Sequence, residues 1–379
     1  MVSKAAFAGG LLLHTPLLPT LLLTPLLLGA AAAQEQEPAP ALPPVDIAAV
    51  VESVLGPERP PIIQVAISDE QGTSIISLAR PGVPVAEEEA APELRFAYRS
   101  ITKSFVGTLV LQLVQEGALH LDEPLATYVE GIPGGEDITL RHLGTMRTGL
   151  PNYSSNSELI ATLLEAPARE PARGELLDMA FTQEASFEPG SSYEYSNTNT
   201  LLLGAVIEAV TGVPWHEAVR WRILEPLRLT SVRYGFEEEA PAAEGFHLEA
   251  ETVAPLPQVA PGWFGASGAL TGTLQDLVVW GRALGSGSLL NDELQAERLA
   301  TFAPTDADPR SPFYHRYGFA LGEIDGWIGH TGAGLGYQSL VMYEPETERV
   351  IAILMNGTGG NRSLPAEIFQ ALLASLPAP

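Results

Sequence analysis

The chain reads Ser100-Ile101-Thr102-Lys103 and runs straight on into Ser104-Phe105-Val106-Gly107-Thr108-Leu109-Val110-Leu111-Gln112-Leu113-Val114-Gln115. From Ser104 to Gln115 it carries no charge and is apolar nearly all the way round a helix, the pattern of a helix buried on every side. Lys103 then falls in the first turn of a core helix. Ser100, three residues earlier, projects from the same face within reach of the lysine amine. A serine at a helix start also has free backbone N–H groups beside it, able to stabilise an oxyanion.

The chain has 18 arginines and two lysines, Lys4 and Lys103. A guanidinium keeps its proton near neutral pH, whereas a buried amine can have its pKa lowered far enough to act as a base. A lysine retained against this bias points to chemistry that arginine cannot perform. Serine is common in the chain, so the pair alone does not separate a site from chance.

At 379 residues and 46% hydrophobic, the chain can bury a large core, as one two-lobed unit or as two domains. There is no cysteine, which excludes disulfides, thiol catalysis, cysteine-ligated zinc and a cysteine-linked lipid anchor. Residues 1–33 carry one lysine, then leucine-rich sequence, then Ala31-Ala32-Ala33, the order of a secretory signal with cleavage near Ala33. The other reading is an uncleaved anchor, because Ala5 to Ala33 is uncharged and long enough to span a bilayer, although Pro16, Pro19 and Pro25 interrupt it. An exported protein follows, soluble or tethered at its N-terminus. Without residues 1–33, nineteen basic side chains face 46 acidic ones, a net charge of −27 that repels nucleic acid.

Residues 34–44 form a proline-rich linker, and structure is expected to begin near Val45 with a helix. Two strands follow, Ile62 to Ser68 and Thr73 to Ala79, joined by the hairpin signal Asp69-Glu70-Gln71-Gly72; a loop over 81–93, rich in proline and glutamate, leads on to Ser100. A helix is expected from about Thr198 through Val210, stopping at Gly212, and another from Pro214 to Leu224. Gly326 to His330, Gln338 to Tyr343 and Arg349 to Met355 read as three antiparallel strands, with a last amphipathic helix over about Leu364 to Leu376. Strands at both chain ends with helices between them imply one sheet built from distant segments and an inserted helical lobe.

Two further clusters stand out. Tyr195-Ser196-Asn197 precedes the Thr198 helix, and in extended chain its phenol and carboxamide face the same side. Taken alone it is equally a capping turn. His330-Thr331-Gly332-Ala333-Gly334 ends a strand; its glycines read either as a turn or as a place where Gly332 lets a substrate backbone approach closely.

In this order and spacing, Ser100-x-x-Lys103, Tyr195-Ser196-Asn197 and His330-Thr331-Gly332 resemble the three signatures of the serine β-lactamase and penicillin-binding protein superfamily. The nearest branch holds class C β-lactamases, D-alanyl-D-alanine carboxypeptidases and β-lactamase-like esterases. Gly117 to Pro124, Ile138 to Leu143 with Thr148 to Pro151, Phe187 to Gly190, Ile223 to Leu227, and Gly268 to Leu270 with Asp276-Leu277 are similar to its connecting segments, so the likeness spans about residues 45–378.

The resemblance implies an α+β fold with a five-stranded antiparallel sheet (about 45–118 and 311–378) and an inserted all-helical lobe (about 119–310). It implies that Ser100 is the acylated nucleophile and that Lys103 and Tyr195 share the proton transfers, with no choice between them as base. Asn197 would hold the substrate amide and Lys103. The N–H groups of Ser100 and Ala333 would form the oxyanion hole, His330 would lie beside the substrate's carboxyl side, and Thr331 and Gly332 would be further substrate-binding residues. No cofactor or metal is implied, and a monomer acting on a small molecule or a peptidoglycan peptide is expected.

Departures from the family bear on the substrate. Histidine opens the third motif where most β-lactamases have lysine, and Ala333 stands where carboxylate-binding members carry serine or threonine. The histidine favours the carboxypeptidase or esterase branch over a β-lactamase, while Ala333 removes a partner for a free carboxylate, so weak β-lactam hydrolysis is expected, with short acyl esters or D-amino-acid amides turned over best. Arg362 is the alternative carboxylate partner, or a surface residue. A class A deacylation glutamate is not visible, so Tyr195 or its neighbours would activate water. An α/β-hydrolase would show Gly-x-Ser-x-Gly and a zinc hydrolase His-x-x-x-His, and neither occurs. The remaining rival is a non-catalytic muropeptide or β-lactam binder, separated from an enzyme by steady turnover of a simple ester.

Overall fold

The computed structural model describes residues 45–80, 93–237, 240–249, 252–305 and 313–376. The expected signal segment, the 34–44 linker and all but the last residue of the 81–93 loop lie outside the described residues. Among the described residues no helix is long and apolar enough to cross a membrane.

The centre is an antiparallel sheet of eight strands. Its order across the sheet is Gly72–Ala79, Ile62–Asp69, Val350–Met355, Tyr337–Tyr343, Trp327–Gly334, Leu321–Ile324, Arg316–Gly318 and Ala303–Pro304. The first five are the strands expected from the sequence, joined from both chain ends by the pairing of Ile63 with Met355 through Ser68 with Val350. The expected count of five is thus corrected to eight. The three extra strands are only two to four residues long, too short to carry a readable alternation. The hairpin turns between Asp69 and Gly72, as its sequence predicts.

Both faces of the sheet are covered, which explains why Val350–Met355 reads as an unbroken apolar run. Ile351, Ile353 and Met355 face the terminal helices Ile47–Val54 and Leu364–Ser375, in a core with Ile63, Val65, Leu340 and Phe369. Val350, Ala352 and Leu354 belong instead to the core shared with the Leu274–Ser286 helix. The Thr102–Gln115 helix is buried along most of its length, with Phe105 stacked on Trp280 at 3.8 Å and Trp280 Nε1 donating to Ser104 Oγ at 2.9 Å. That surrounding core is what fixes the position of Lys103.

The inserted lobe carries the expected Asn197–Thr211 helix, ended by Gly212 in the left-handed region at φ 72°. It is not all-helical. Phe96–Ala97, Leu270–Gly272 and Arg233–Tyr234 form one small sheet, and Gly357–Thr358, Phe246–Glu249 and Thr252–Pro255 form another. Such short strands hold through backbone pairing at positions whose side chains show no period, so the sequence concealed them.

Candidate active site

Ser100 lies in a tight turn, Arg99–Ile101, immediately before the Thr102–Gln115 helix. Lys103 Nζ is 3.0 Å from Ser100 Oγ, 2.6 Å from Asn197 Oδ1 and 2.7 Å from the Ser267 carbonyl. Lys103 is completely buried, and burial pushes its amine well below the usual lysine range. The Asn197 carboxamide oxygen and the Ser267 carbonyl can only accept, so they take two N–H bonds and leave the third position of the nitrogen facing Ser100. In a neutral amine that position holds the lone pair.

Tyr195 is buried beside this pair, its ring centroid 5.1 Å from Lys103 Nζ. Burial pushes its phenol well above the usual range, and the neighbouring Ser100 hydroxyl works against that push. Yet the Tyr195 hydroxyl has no hydrogen-bond partner of good geometry among the described residues. A buried polar group left open in this way calls for an explanation.

Asn197 is fixed at the start of its helix by bonds on both sides. Its Nδ2 donates to Ser154 Oγ at 2.8 Å, and its backbone N–H donates to Asn152 Oδ1 at 3.2 Å. Ser154, Asn152 and the Ser267 carbonyl were not singled out from the sequence. A carbonyl carries no sequence signal, and serines and asparagines in loops are too common to stand out.

The third motif differs from expectation in two respects. Gly332 and Gly334 lie within the Trp327–Gly334 strand, so the glycine run is strand and the turn comes at Leu335-Gly336. A Cβ on Gly332 would come within 2.4 Å of the Tyr98 carbonyl and of Ser339 Oγ. The glycine therefore admits the protein's own nucleophile turn against the strand, and it also borders the cleft beside Ser100. Ser339 Oγ completes that junction by donating to the Tyr98 carbonyl at 2.7 Å. Ala333, next along the strand, borders the cleft beside Ser100.

His330 was expected beside the substrate's carboxyl side, but it does not border the cleft. It is completely buried, with Nδ1 2.6 Å from the Thr331 carbonyl and 3.0 Å from the Tyr314 hydroxyl, and Nε2 3.1 Å from the Tyr317 hydroxyl. The carbonyl can only accept, which assigns the proton to Nδ1 and leaves Nε2 to accept from Tyr317. Burial, reinforced by the charge of Lys103, pushes its pKa down to about 3. His330 is a neutral support beneath Tyr195, whose ring lies 6.4 Å away. Thr331 does border the cleft, with its backbone N–H donating to the Tyr314 hydroxyl at 2.7 Å. Arg362 is exposed and borders the cleft as well.

Arg99 was missed entirely. Its guanidinium is buried, stacked 3.9 Å over the Phe264 ring, with Nε donating to the Gly334 carbonyl and Nη2 to the Leu335 carbonyl, each at 2.9 Å. Its backbone adopts φ 51°, a left-handed conformation that costs a non-glycine residue energy.

The fold and the grouping of Ser100, Lys103, Tyr195 and Asn197 place the chain in the class of serine β-lactamase and transpeptidase folds. The Beta-lactamase family profile matches residues 76–376, and the chain belongs to that family. Protein flp of Staphylococcus aureus (strain MRSA252) is 22% identical over 71% of this chain and 54% of its own length. The putative penicillin-binding protein PbpX of Bacillus subtilis (strain 168) is 23% identical over 70% of this chain and 63% of its own. The chain thus spans little more than half the length of these relatives. Among solved structures, a D-stereospecific amidohydrolase from Streptomyces sp. superposes with TM-score 0.73 and 26% identity, covering 87% of this chain and 98% of that one. The D-amino acid amidase from Ochrobactrum anthropi SV3 superposes with TM-score 0.72 at 22% identity, covering 87% and 99%, a likeness of fold.

Proposed function

We propose that this protein is a serine acyl hydrolase that works through an acyl-enzyme on Ser100 and acts on esters and amides, D-amino-acid amides among them. The observation that carries the proposal is the fully buried Lys103 amine, pushed toward neutrality, 3.0 Å from Ser100 Oγ. Ser100 Oγ attacks the substrate carbonyl while its proton passes to the Lys103–Tyr195 pair, which titrates as a unit. The N–H groups of Ser100 and Ala333 hold the oxyanion. As the bond to the leaving alcohol or amine breaks, the pair returns the proton to it, and the open Tyr195 hydroxyl is placed to deliver it. Water then enters against the acyl-enzyme by the same route in reverse. The likeness to the Streptomyces amidohydrolase supports amides as substrates.

The test is labelling with a fluorophosphonate followed by peptide mapping, together with steady turnover of a simple ester. An adduct on Ser100 and sustained turnover are expected. An adduct on Ser104 or Ser196 with Ser100 unmodified overturns the assignment, and labelling without turnover identifies a non-catalytic binder.

A second reading, a D-alanyl-D-alanine carboxypeptidase, draws on Arg362, whose position on the cleft supplies a cation for a terminal carboxylate. Arg362→Ala would then slow carboxylate-bearing peptides and spare neutral esters. In either case we propose export by the N-terminal segment and action as a monomer, tested by N-terminal sequencing and by sedimentation.

A further inference from the structure

The cleft beside Ser100 has two lobes of opposite character. One, of about 520 Å³, is walled by Leu159, Ile160, Leu163, Leu164, Trp263 and Phe264. The other, of about 580 Å³, is bordered by Tyr195, Thr331, Asn361, Arg362 and Ser363. Ser100, Asn197 and Ala333 border both. A carbonyl attacked by Ser100 therefore sits at the junction, with one substituent in each lobe.

The proton donor decides which substituent goes where. Tyr195 borders the polar lobe and not the apolar one. A leaving group must lie against the group that protonates it, so the departing alcohol or amine occupies the polar lobe. The acyl substituent is left the apolar lobe.

The wall of that lobe is built for hydrocarbon. Leu159 and Leu163 are anchored in a small core with Tyr153 and Trp263. Ile160 and Leu164, on the same short helix Leu159–Glu165, remain 47% and 43% exposed. A single exposed leucine is ordinary. Two aliphatic side chains one turn apart, bordering an apolar cavity that ends at a nucleophile, form a binding surface. The charged groups on its border are already engaged: Arg99 with the Gly334 and Leu335 carbonyls, and His247 with Glu249 at 3.2 Å. Only Arg362, at the junction with the polar lobe, stands outside such a pairing among the described residues.

Resting on the serine hydrolase reading above, we infer that the preferred acyl group is a large uncharged hydrocarbon one, a medium-chain alkanoyl or arylalkanoyl group. It lies against Leu159, Ile160, Leu163 and Leu164, and the alcohol or amine leaves on the Tyr195 side. This departs from the short acyl group expected from the sequence. The 159–165 helix and Trp263-Phe264 are about a hundred residues apart in the chain, and only the fold makes one cavity of them.

The test is a series of nitrophenyl esters from acetyl through butyryl and hexanoyl to octanoyl, hydrolysed by the full chain. Each buried methylene should raise kcat/KM about fourfold, until the lobe is filled. Ile160→Gln and Leu164→Gln, at partly exposed positions that the fold tolerates, should lower the octanoyl-to-acetyl ratio about tenfold. A ratio that is flat or falls with acyl length while Ser100 still takes the fluorophosphonate and acetyl ester is turned over overturns this inference and leaves the hydrolase reading standing. So does a set of acetate esters whose rates climb with the length of the alcohol in place of the acyl chain. Turnover of the whole series by Ser100→Ala would overturn both.

Discussion

Arg99 Nε donates to the Gly334 carbonyl at 2.9 Å, so the residue before the proposed nucleophile is tied to the strand that carries Ala333. The tie holds the two proposed oxyanion donors, Ser100 and Ala333, in one frame. It joins a buried guanidinium to carbonyls, with no carboxylate partner among the described residues, and burial lowers its pKa to about 10, so the charge persists at neutral pH. Arg99→Met keeps the stem against Phe264 and removes the fork. We expect kcat for ester hydrolysis to fall about tenfold with KM little changed, since an oxyanion forms only in the transition state. Equal kcat in variant and parent would show that the strand end holds its place without the tether.

Lys103 is expected to work as a proton carrier and not merely as a cation. Lys103→Arg preserves charge but cannot deprotonate, and should lose on the order of a hundredfold or more in acylation rate. In the parent, kcat/KM should fall with decreasing pH as the lowered lysine takes up its proton, because the base form is the neutral amine. Stopped-flow acylation of both proteins across a pH series checks this, and near-normal acylation by the arginine variant would show that charge suffices.

Tyr195→Phe removes only a hydroxyl that makes no well-formed hydrogen bond among the described residues, so the fold should lose little while chemistry loses a proton donor. Acylation and deacylation should both slow, with the melting temperature close to that of the parent. Retained turnover with normal melting would assign the proton transfers to Lys103 alone.

The legible parts of the sequence were those where one residue type had to serve one purpose. The uncharged run after Lys103 predicted a buried helix, and the structure buries that helix in the core; the apolar strands predicted the five long members of the sheet. What stayed hidden was work done by the backbone or by contact across the chain. The Ser267 carbonyl on Lys103, the approach of Tyr98 to Gly332 and the apolar lobe beside Ser100 all depend on segments far apart in sequence. His330 misled because its position in the motif suggested a substrate contact, whereas its ring is held by two tyrosines and its own strand.

Ala333→Ser places a hydroxyl at the junction of the two lobes. A charge-assisted hydrogen bond is roughly twice as strong as a neutral one, so the variant should gain on carboxylate-bearing substrates relative to neutral esters. Competition between a carboxylate-bearing D-amino-acid peptide and a simple ester measures the change, and an unchanged ratio would remove Ala333 from the specificity argument.

His330 gives a prediction in stability. In the fold its pKa is pushed down to about 3, against about 6.5 for an exposed histidine. Between those values the unfolded chain binds a proton that the folded chain refuses, so stability rises with pH through this window and is lost as the pH falls below about 6.5. At about 1.4 kcal/mol per pH unit, this one group would cost about 2 kcal/mol on going from neutral pH to about pH 5. The carboxylates of the chain add their own slope, so the informative quantity is a difference. His330→Gln retains a polar side chain between Tyr314 and Tyr317 but cannot titrate. Urea unfolding of parent and variant at both pH values should show the parent losing about 2 kcal/mol more than the variant on acidification, and identical losses would mean that the ring takes up a proton within the folded state.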